Sequence, residues 1–154
     1  MSLVYDLHSH STASDGTLTP ADLVRHAADA GVNVLALTDH DTTAGIMQAR
    51  EAAAAVDGFS LVAGIELSVT WNRQTVHIVG LGLDPDNETM QQGLVGIMEF
   101  RQWRAKEIGR RLAKAGIEDA YRHAKGHSSG RLISRTHFGR HLVEIGRATG
   151  RESV

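Results

Sequence analysis

Two histidines one residue apart, His8 and His10, follow an apolar run, and a lone aspartate, Asp15, stands in the loop-like segment after them, in "DLHSHSTASDGT". Residues at i and i+2 of a strand point to the same side, so the two imidazoles can aim at one point. Asp15 is close enough along the chain to fold back toward it. This is metal-ligating chemistry if other segments add nitrogen and oxygen donors. Three do: Asp39 and His40 in "LALTDHD", Glu66 in "AGIELS" and His77 in "VHIVGL". Glu66 carries the most weight, because a carboxylate inside a strand as apolar as "LVAGIEL" needs a cation or a dense set of donors. His77 taken alone reads as a core histidine; the set gives it meaning. The chain has no cysteine, which excludes disulfides and thiolate sites and leaves any metal to His, Asp and Glu.

A second group of residues suits anions. The net charge of −2 hides an asymmetry: residues 1–100 carry a net −10 and residues 101–154 a net +8. An acidic, cation-collecting part beside a basic, anion-collecting part is what phosphate-ester chemistry requires. Within the basic part, Arg101 interrupts a helical apolar stripe of Met90, Leu94, Ile97 or Met98, Ala105, Ile108 and Leu112. An arginine on the inward face of a helix is costly unless it meets an anion. Arg104 shares roughly the same side, three residues on. Arg135, Thr136 and His137 fall in the first turn of a later helix, where free N–H groups and the helix dipole favour an anion.

The elements that must position these groups alternate. "LVYDLHSH" predicts a short buried strand, and "TPADLVRHAADAG" a helix with Thr19 as N-cap, Pro20 in the first position and Gly31 as its stop. "VNVLALTDHD" predicts a strand of the kind covered on both faces in a parallel sheet. A helix follows over "TTAGIMQAREAAAAVDG", capped by Asp41. "FSLVAGIELSVTW" and "VHIVGLGL" predict a hairpin around "NRQT", which can set Glu66 beside His77. A long helix is expected from Asn87 to about Ala115, then a short helix and loop. A last helix is capped by Ser134, with Phe138, Leu142 and Ile145 as its apolar stripe. The fold class is α/β, with functional residues expected at the C-terminal ends of strands. His26, His123, His127 and His141 read as surface residues. No apolar run approaches the roughly 20 residues of a membrane span, and no charged-then-apolar leader opens the chain; a cytoplasmic protein without a membrane partner is expected.

"DLHSHSTASDGTLTP", "LALTDHDT", "GIELS" and "VHIVGL", in this order, resemble the motifs of the PHP (polymerase and histidinol phosphatase) family. Over essentially its whole length the chain resembles the N-terminal half of bacterial members that remove the 3′-phosphate of nucleoside 3′,5′-bisphosphates such as 3′-phosphoadenosine 5′-phosphate; other members are 5′-to-3′ exoribonucleases on short RNA. The resemblance implies a distorted barrel of seven β/α units, partial here: residues 1–86 would carry the metal motifs and 87–154 a small helical insertion over the site. It implies two or three divalent ions. His8, His10 and Glu66 match ligands of one, Glu66 and His77 of a second, and Asp15 and His40 of a third. Arg101 and Arg104 in "RQWRA", and Arg135 and His137 in "SRTHF", match substrate-contacting stretches. The family continues for about another hundred residues that complete the metal sites and the barrel, so the chain by itself is expected to be a poor enzyme.

The chemistry expected is metal-assisted phosphoester hydrolysis, with Asp15 and His40 also handling protons near the leaving group. Nitrogen and carboxylate donors without sulfur point first to Mn²⁺, then to Fe, Zn²⁺ or Mg²⁺. The expected partner is a small nucleotide. The alternatives are an exonuclease on short RNA or DNA and a non-catalytic metal- or nucleotide-binding fragment. Few stacking aromatics (Phe100, Trp103, Tyr121 and Phe138) lie in the basic part, which favours a mononucleotide.

Overall fold

The structure, a computed structural model, describes residues 3–128 and 132–148. The elements run β1 (Tyr5–Ser9), α1 (Pro20–Asp29), β2 (Val34–Leu37), α2 (Ile46–Ala54), β3 (Ser60–Trp71), β4 (Gln74–Leu81), α3 (Glu88–Lys114), α4 (Ala120–His127) and α5 (Arg135–Glu144). The strands form one sheet in the order β1-β2-β3-β4 that curls into half a barrel, a partial form of the predicted fold. β1, β2 and β3 are parallel, and β4 returns antiparallel to β3. The hairpin turn places Asn72 and Arg73 at φ 48 and 63, the left-handed pair that a two-residue turn matched to strand twist requires.

Local chemistry sets most boundaries. Thr19 caps α1 by accepting the Asp22 N–H, Pro20 opens it, and Gly31 ends it at φ 83. Asn87 caps α3 by accepting the Met90 N–H. Ser134 caps α5, and the His137 ring accepts the Ser134 N–H in return at 3.0 Å, closing a capping box.

Three expectations are corrected. β1 is not buried: it lies on the sheet edge, with Tyr5 and Leu7 exposed. The helix expected from residue 42 begins at Ile46 with Gly45 at its N-cap, because Asp41 adopts φ 51 and turns its carboxylate elsewhere. The buried face of α5 is His137, Phe138 and His141, and Ile145 is exposed. Among the described residues no helix is long and apolar enough to cross a membrane.

Two apolar clusters hold the chain. Val24 and Ala27 of α1 and Ile46, Ala49 and Ala53 of α2 pack on Leu35, Leu37 and Ala63 of the sheet. Ala105 of α3, Ala120 and Ala124 of α4, Ile133 and Phe138 form the other. The clusters are bridged by charge. Arg101, 5% exposed, reaches from α3 to the buried Asp41 carboxylate through its Nε and donates from Nη2 to Ser68 Oγ at 2.7 Å. Asp41 also accepts the Ser68 N–H at 2.7 Å. Removing one partner of such a pair strands the other charge without water. Arg101→Ala is therefore expected to destabilise the fold by about 3 kcal/mol, read as a lower denaturation midpoint; a midpoint within error of the parent would show that the pair does not tie the helices to the sheet.

Candidate metal centre and anion pocket

The strand ends meet at Glu66. β2 stops at Leu37, paired with Ala63, so Glu66 on the longer β3 lies just past the end of β2. There it is bridged to His40 by backbone pairing. Glu66 is nearly buried, and four imidazoles surround its carboxylate. Oε2 lies 2.9 Å from His8 Nε2, 3.1 Å from His10 Nε2 and 3.5 Å from His40 Nδ1. Oε1 lies 2.6 Å from His77 Nδ1. In the β3–β4 register His77 pairs with Ser68, so Glu66 and His77 are diagonal neighbours on one sheet face. Burial works against charge on Glu66, yet the hydrogen bond from His8, the charge of His40 and the hydrogen bond from His77 hold its pKa below the usual glutamate value.

The donors fit cations. His8, His10 and Glu66 form one group of mutually close ligand atoms, His40, Glu66 and His77 a second, and His10, Asp15 and His40 a third. His8 Nε2 and His10 Nε2 lie 3.1 Å apart and converge on the same oxygen. Donors bound at about 2.0–2.2 Å to one ion sit roughly 3.0–3.5 Å from each other, so the spacing is that of a coordination shell. Buried polar atoms ordinarily find partners, but His10 Nδ1 and His40 Nδ1 are buried without a hydrogen bond among the described residues. Burial also lowers the pKa of His40, against the pull of the Asp15 and Glu66 charges, which favours the neutral, ligating ring.

Asp15 arrives on a loop that closes tightly on itself. Gly16 N–H donates to Ser11 O at 2.9 Å, and a Cβ at Gly16 would lie 2.3 Å from His10 O, so only glycine fits. Asp39 anchors this loop. Read from the sequence as one candidate donor among several, it belongs to none of the donor groups. Its carboxylate accepts from Ser11 N at 2.7 Å and from Ser11 Oγ and Ser14 Oγ, each at 2.6 Å. Burial raises its pKa against these hydrogen bonds. From α5, Thr136 Oγ1 donates to Asp15 Oδ2 at 3.1 Å and Arg140 Nη2 to Asp15 O at 3.0 Å. Neither contact was read from the sequence, since the partners are 121 and 125 residues apart. The direction of Asp39 was in principle legible: extended backbone alternates sides, so Asp39 points away from the face His40 uses.

The centre opens into a cavity of about 490 Å³ whose wall includes Asp15, His40 and His77 together with Arg101, Arg104 and Arg135. Apolar side chains, among them Ile108, Leu112 and Phe138, complete it. The pKa of Arg104 is lowered by burial and by the charges of Arg101 and Arg135, so the three guanidinium groups repel one another across the cavity. Arg101 is already matched by Asp41. Arg135 makes no ion pair among the described residues. His137 is absent from the wall: it is 2% exposed, and its Nδ1 is occupied by the Ser134 N–H. It supports the first turn of α5 rather than facing a ligand.

If Glu66 and the histidines around it hold divalent metal, chelator-stripped His8→Ala and Glu66→Gln proteins reloaded with Mn²⁺ should bind it at least about tenfold more weakly. Circular dichroism should stay that of the parent. Parent-like metal content in both variants would exclude the centre.

Comparison with known proteins agrees with this geometry. A model of the PHP domain matches residues 6–142. A 5′-3′ exoribonuclease of Haemophilus influenzae is 48% identical over 149 residues, 97% of this chain and 54% of its own length. A 3′,5′-nucleoside bisphosphate phosphatase of Chromobacterium violaceum is 48% identical over 142 residues, 92% of this chain and 50% of its own. The solved structure of an amidohydrolase from Chromobacterium violaceum, with bound sulfate and no metal, superposes with a TM-score of 0.89 at 46% identity, covering 94% of this chain and 51% of that one. The chain thus spans about half the length of the curated relatives it matches. Family model, identity and superposed fold agree, and the chain belongs to the PHP domain family.

Proposed function

We propose that this chain forms the metal-binding part of a phosphoester hydrolase that removes the 3′-phosphate of nucleoside 3′,5′-bisphosphates such as 3′-phosphoadenosine 5′-phosphate. One observation carries the reading: Asp15, His40 and His77 of the donor cluster and the guanidinium groups of Arg101, Arg104 and Arg135 line a single cavity of about 490 Å³. That volume lies in the range of small-molecule sites. His8, His10, Glu66, His77, His40 and Asp15 would hold two or three divalent ions, Mn²⁺ first by donor type. When bound, such ions supply Lewis-acid charge for phosphoryl oxygens and lower the pKa of coordinated water.

The chain's own groups do the rest. Arg104 and Arg135 grip the phosphate that is not cleaved, since a planar guanidinium meets phosphate bidentately and an anion relieves their mutual repulsion. Arg101, held by Asp41, adds positive field rather than a free fork. Asp15 and His40, 3.9 Å apart on the cavity wall, would handle the proton that the departing ribose oxygen needs. Ile108, Leu112, Phe138 and Leu142 offer an apolar seat for the base.

The second reading is a 5′-to-3′ exonuclease on short RNA, favoured by the Haemophilus influenzae relative at 48% identity. Besides the histidines, Phe138 is the one aromatic residue on the cavity wall, which suits one nucleotide better than a stacked strand.

Manganese-loaded protein should release phosphate from 3′-phosphoadenosine 5′-phosphate. Arg104→Ala and Arg135→Ala should each raise KM, by an amount worth about 1.5–3 kcal/mol of charge-assisted hydrogen bonding, with metal content unaltered. An unaltered KM would refute the phosphate-binding assignment. Shortening of 5′-phosphorylated RNA faster than phosphate release from the bisphosphate would favour the exonuclease.

A further inference from the structure

A second cluster of nitrogen and oxygen donors lies outside the PHP centre, between α4 and α5. His127, in the last turn of α4, sets Nε2 3.0 Å from Glu144 Oε2 at the end of α5. One turn back on α5, His141 completes the group: its ligand atom and those of His127 and Glu144 all lie within 4.8 Å of one another. His123, one turn before His127, stacks on His141 with ring centroids 4.4 Å apart and planes 2° from parallel. Three donor side chains from two packed helices thus face one another, with His123 stacked beside them, and none of them is shared with the PHP centre or its cavity.

An ordinary packing role explains this group poorly. His141 is 5% exposed, yet its ring nitrogens make no hydrogen bond among the described residues. Two parallel imidazoles at this distance cannot both be charged without repulsion. A neutral imidazole keeps a free lone pair, the form that binds metals. The carboxylate of Glu144 supplies the negative charge, and its contact with His127 already holds both side chains at the spacing of neighbouring ligands on one ion, roughly 3.0–3.5 Å.

We propose that His127, His141 and Glu144 form a transition-metal site, distinct from the PHP centre, that pins the end of α4 to the end of α5. Two imidazoles and one carboxylate make the donor set of a zinc ion that keeps a fourth position for water. Closing the group requires only that atoms now within 4.8 Å approach to the spacing of a coordination shell. The helix so pinned is the one whose first turn carries Arg135 and Thr136, so the ion would stiffen the wall of the cavity from behind.

The test is zinc binding by chelator-stripped protein, read by competition with a chromophoric chelator. The background carries His8→Ala, His40→Ala, Glu66→Gln and His77→Ala, which take ligands from all three donor groups of the PHP centre. One zinc ion per chain is expected, together with a rise in the thermal midpoint on adding zinc. Adding His127→Ala and Glu144→Gln, at partly exposed positions, should abolish both, with circular dichroism unchanged. No zinc bound in the first protein, or the same zinc bound in the second, would overturn the proposal. If the first background does not fold, the unsubstituted chain and its His127→Ala/Glu144→Gln variant are compared instead. A stoichiometry lower by one in the variant is then expected, and equal stoichiometry would overturn the site.

Discussion

A carboxylate inside an apolar sheet has to be met by positive charge or by donors, and each strand of this half-barrel delivers a group that meets Glu66. β1 brings His8 and, one residue past its end, His10; the extension of β2 brings His40; β4 brings His77. Burial alone would push Glu66 toward its neutral form, and the surrounding imidazoles reverse that. The parallel order β1-β2-β3 is what lets three strand ends converge on one side, and the antiparallel return of β4 is what sets His77 diagonally across from Glu66. Without a cation, four imidazoles crowd one carboxylate and two buried ring nitrogens make no hydrogen bond among the described residues. Ligand convergence and fold are therefore one constraint.

Around that centre, carboxylates that ligate nothing keep the ligands in place. Asp39 and Asp41 flank His40 and are both almost fully buried. Asp39 holds the loop that presents His10 and Asp15 through two hydroxyls and one backbone N–H. Asp41 holds Ser68 on β3 and Arg101 on α3. The first fixes cation chemistry to the loop, and the second fixes the basic helix to the sheet. Between them the donor cluster and the guanidinium groups are brought to one cavity, which no local element could impose.

The sequence was informative wherever chemistry is local. The α1 and α3 caps, the hairpin and the gathering of donors at strand ends follow from short-range rules, and the inward Arg101 announced itself by breaking an apolar stripe. The misreadings share another cause. Residue type alone does not separate a ligating aspartate from a supporting one, so Asp39 was grouped with the ligands although backbone alternation turns it away from His40. Arg101 was expected to meet an external anion, but Asp41 is the anion it meets. His137 was assigned to substrate from its place in a helix's first turn and His141 to the surface from its place away from strand ends, whereas the capping bond of one and the ring stack of the other accompany their inward turn on α5. β1 was expected to be buried because an apolar strand reports what it can pack against, not what lies beside it.

Anomalous diffraction from crystals soaked in Mn²⁺, recorded on and off the manganese edge, tests the central claim most directly. The account predicts anomalous peaks within bonding distance of both Glu66 oxygens, one shared with His8 and His10 and one shared with His77. Peaks only elsewhere on the chain, with the Glu66 carboxylate still hydrogen-bonded to His8 and His77, would contradict it: the cluster would then be a buried ion-pair network and not a metal centre.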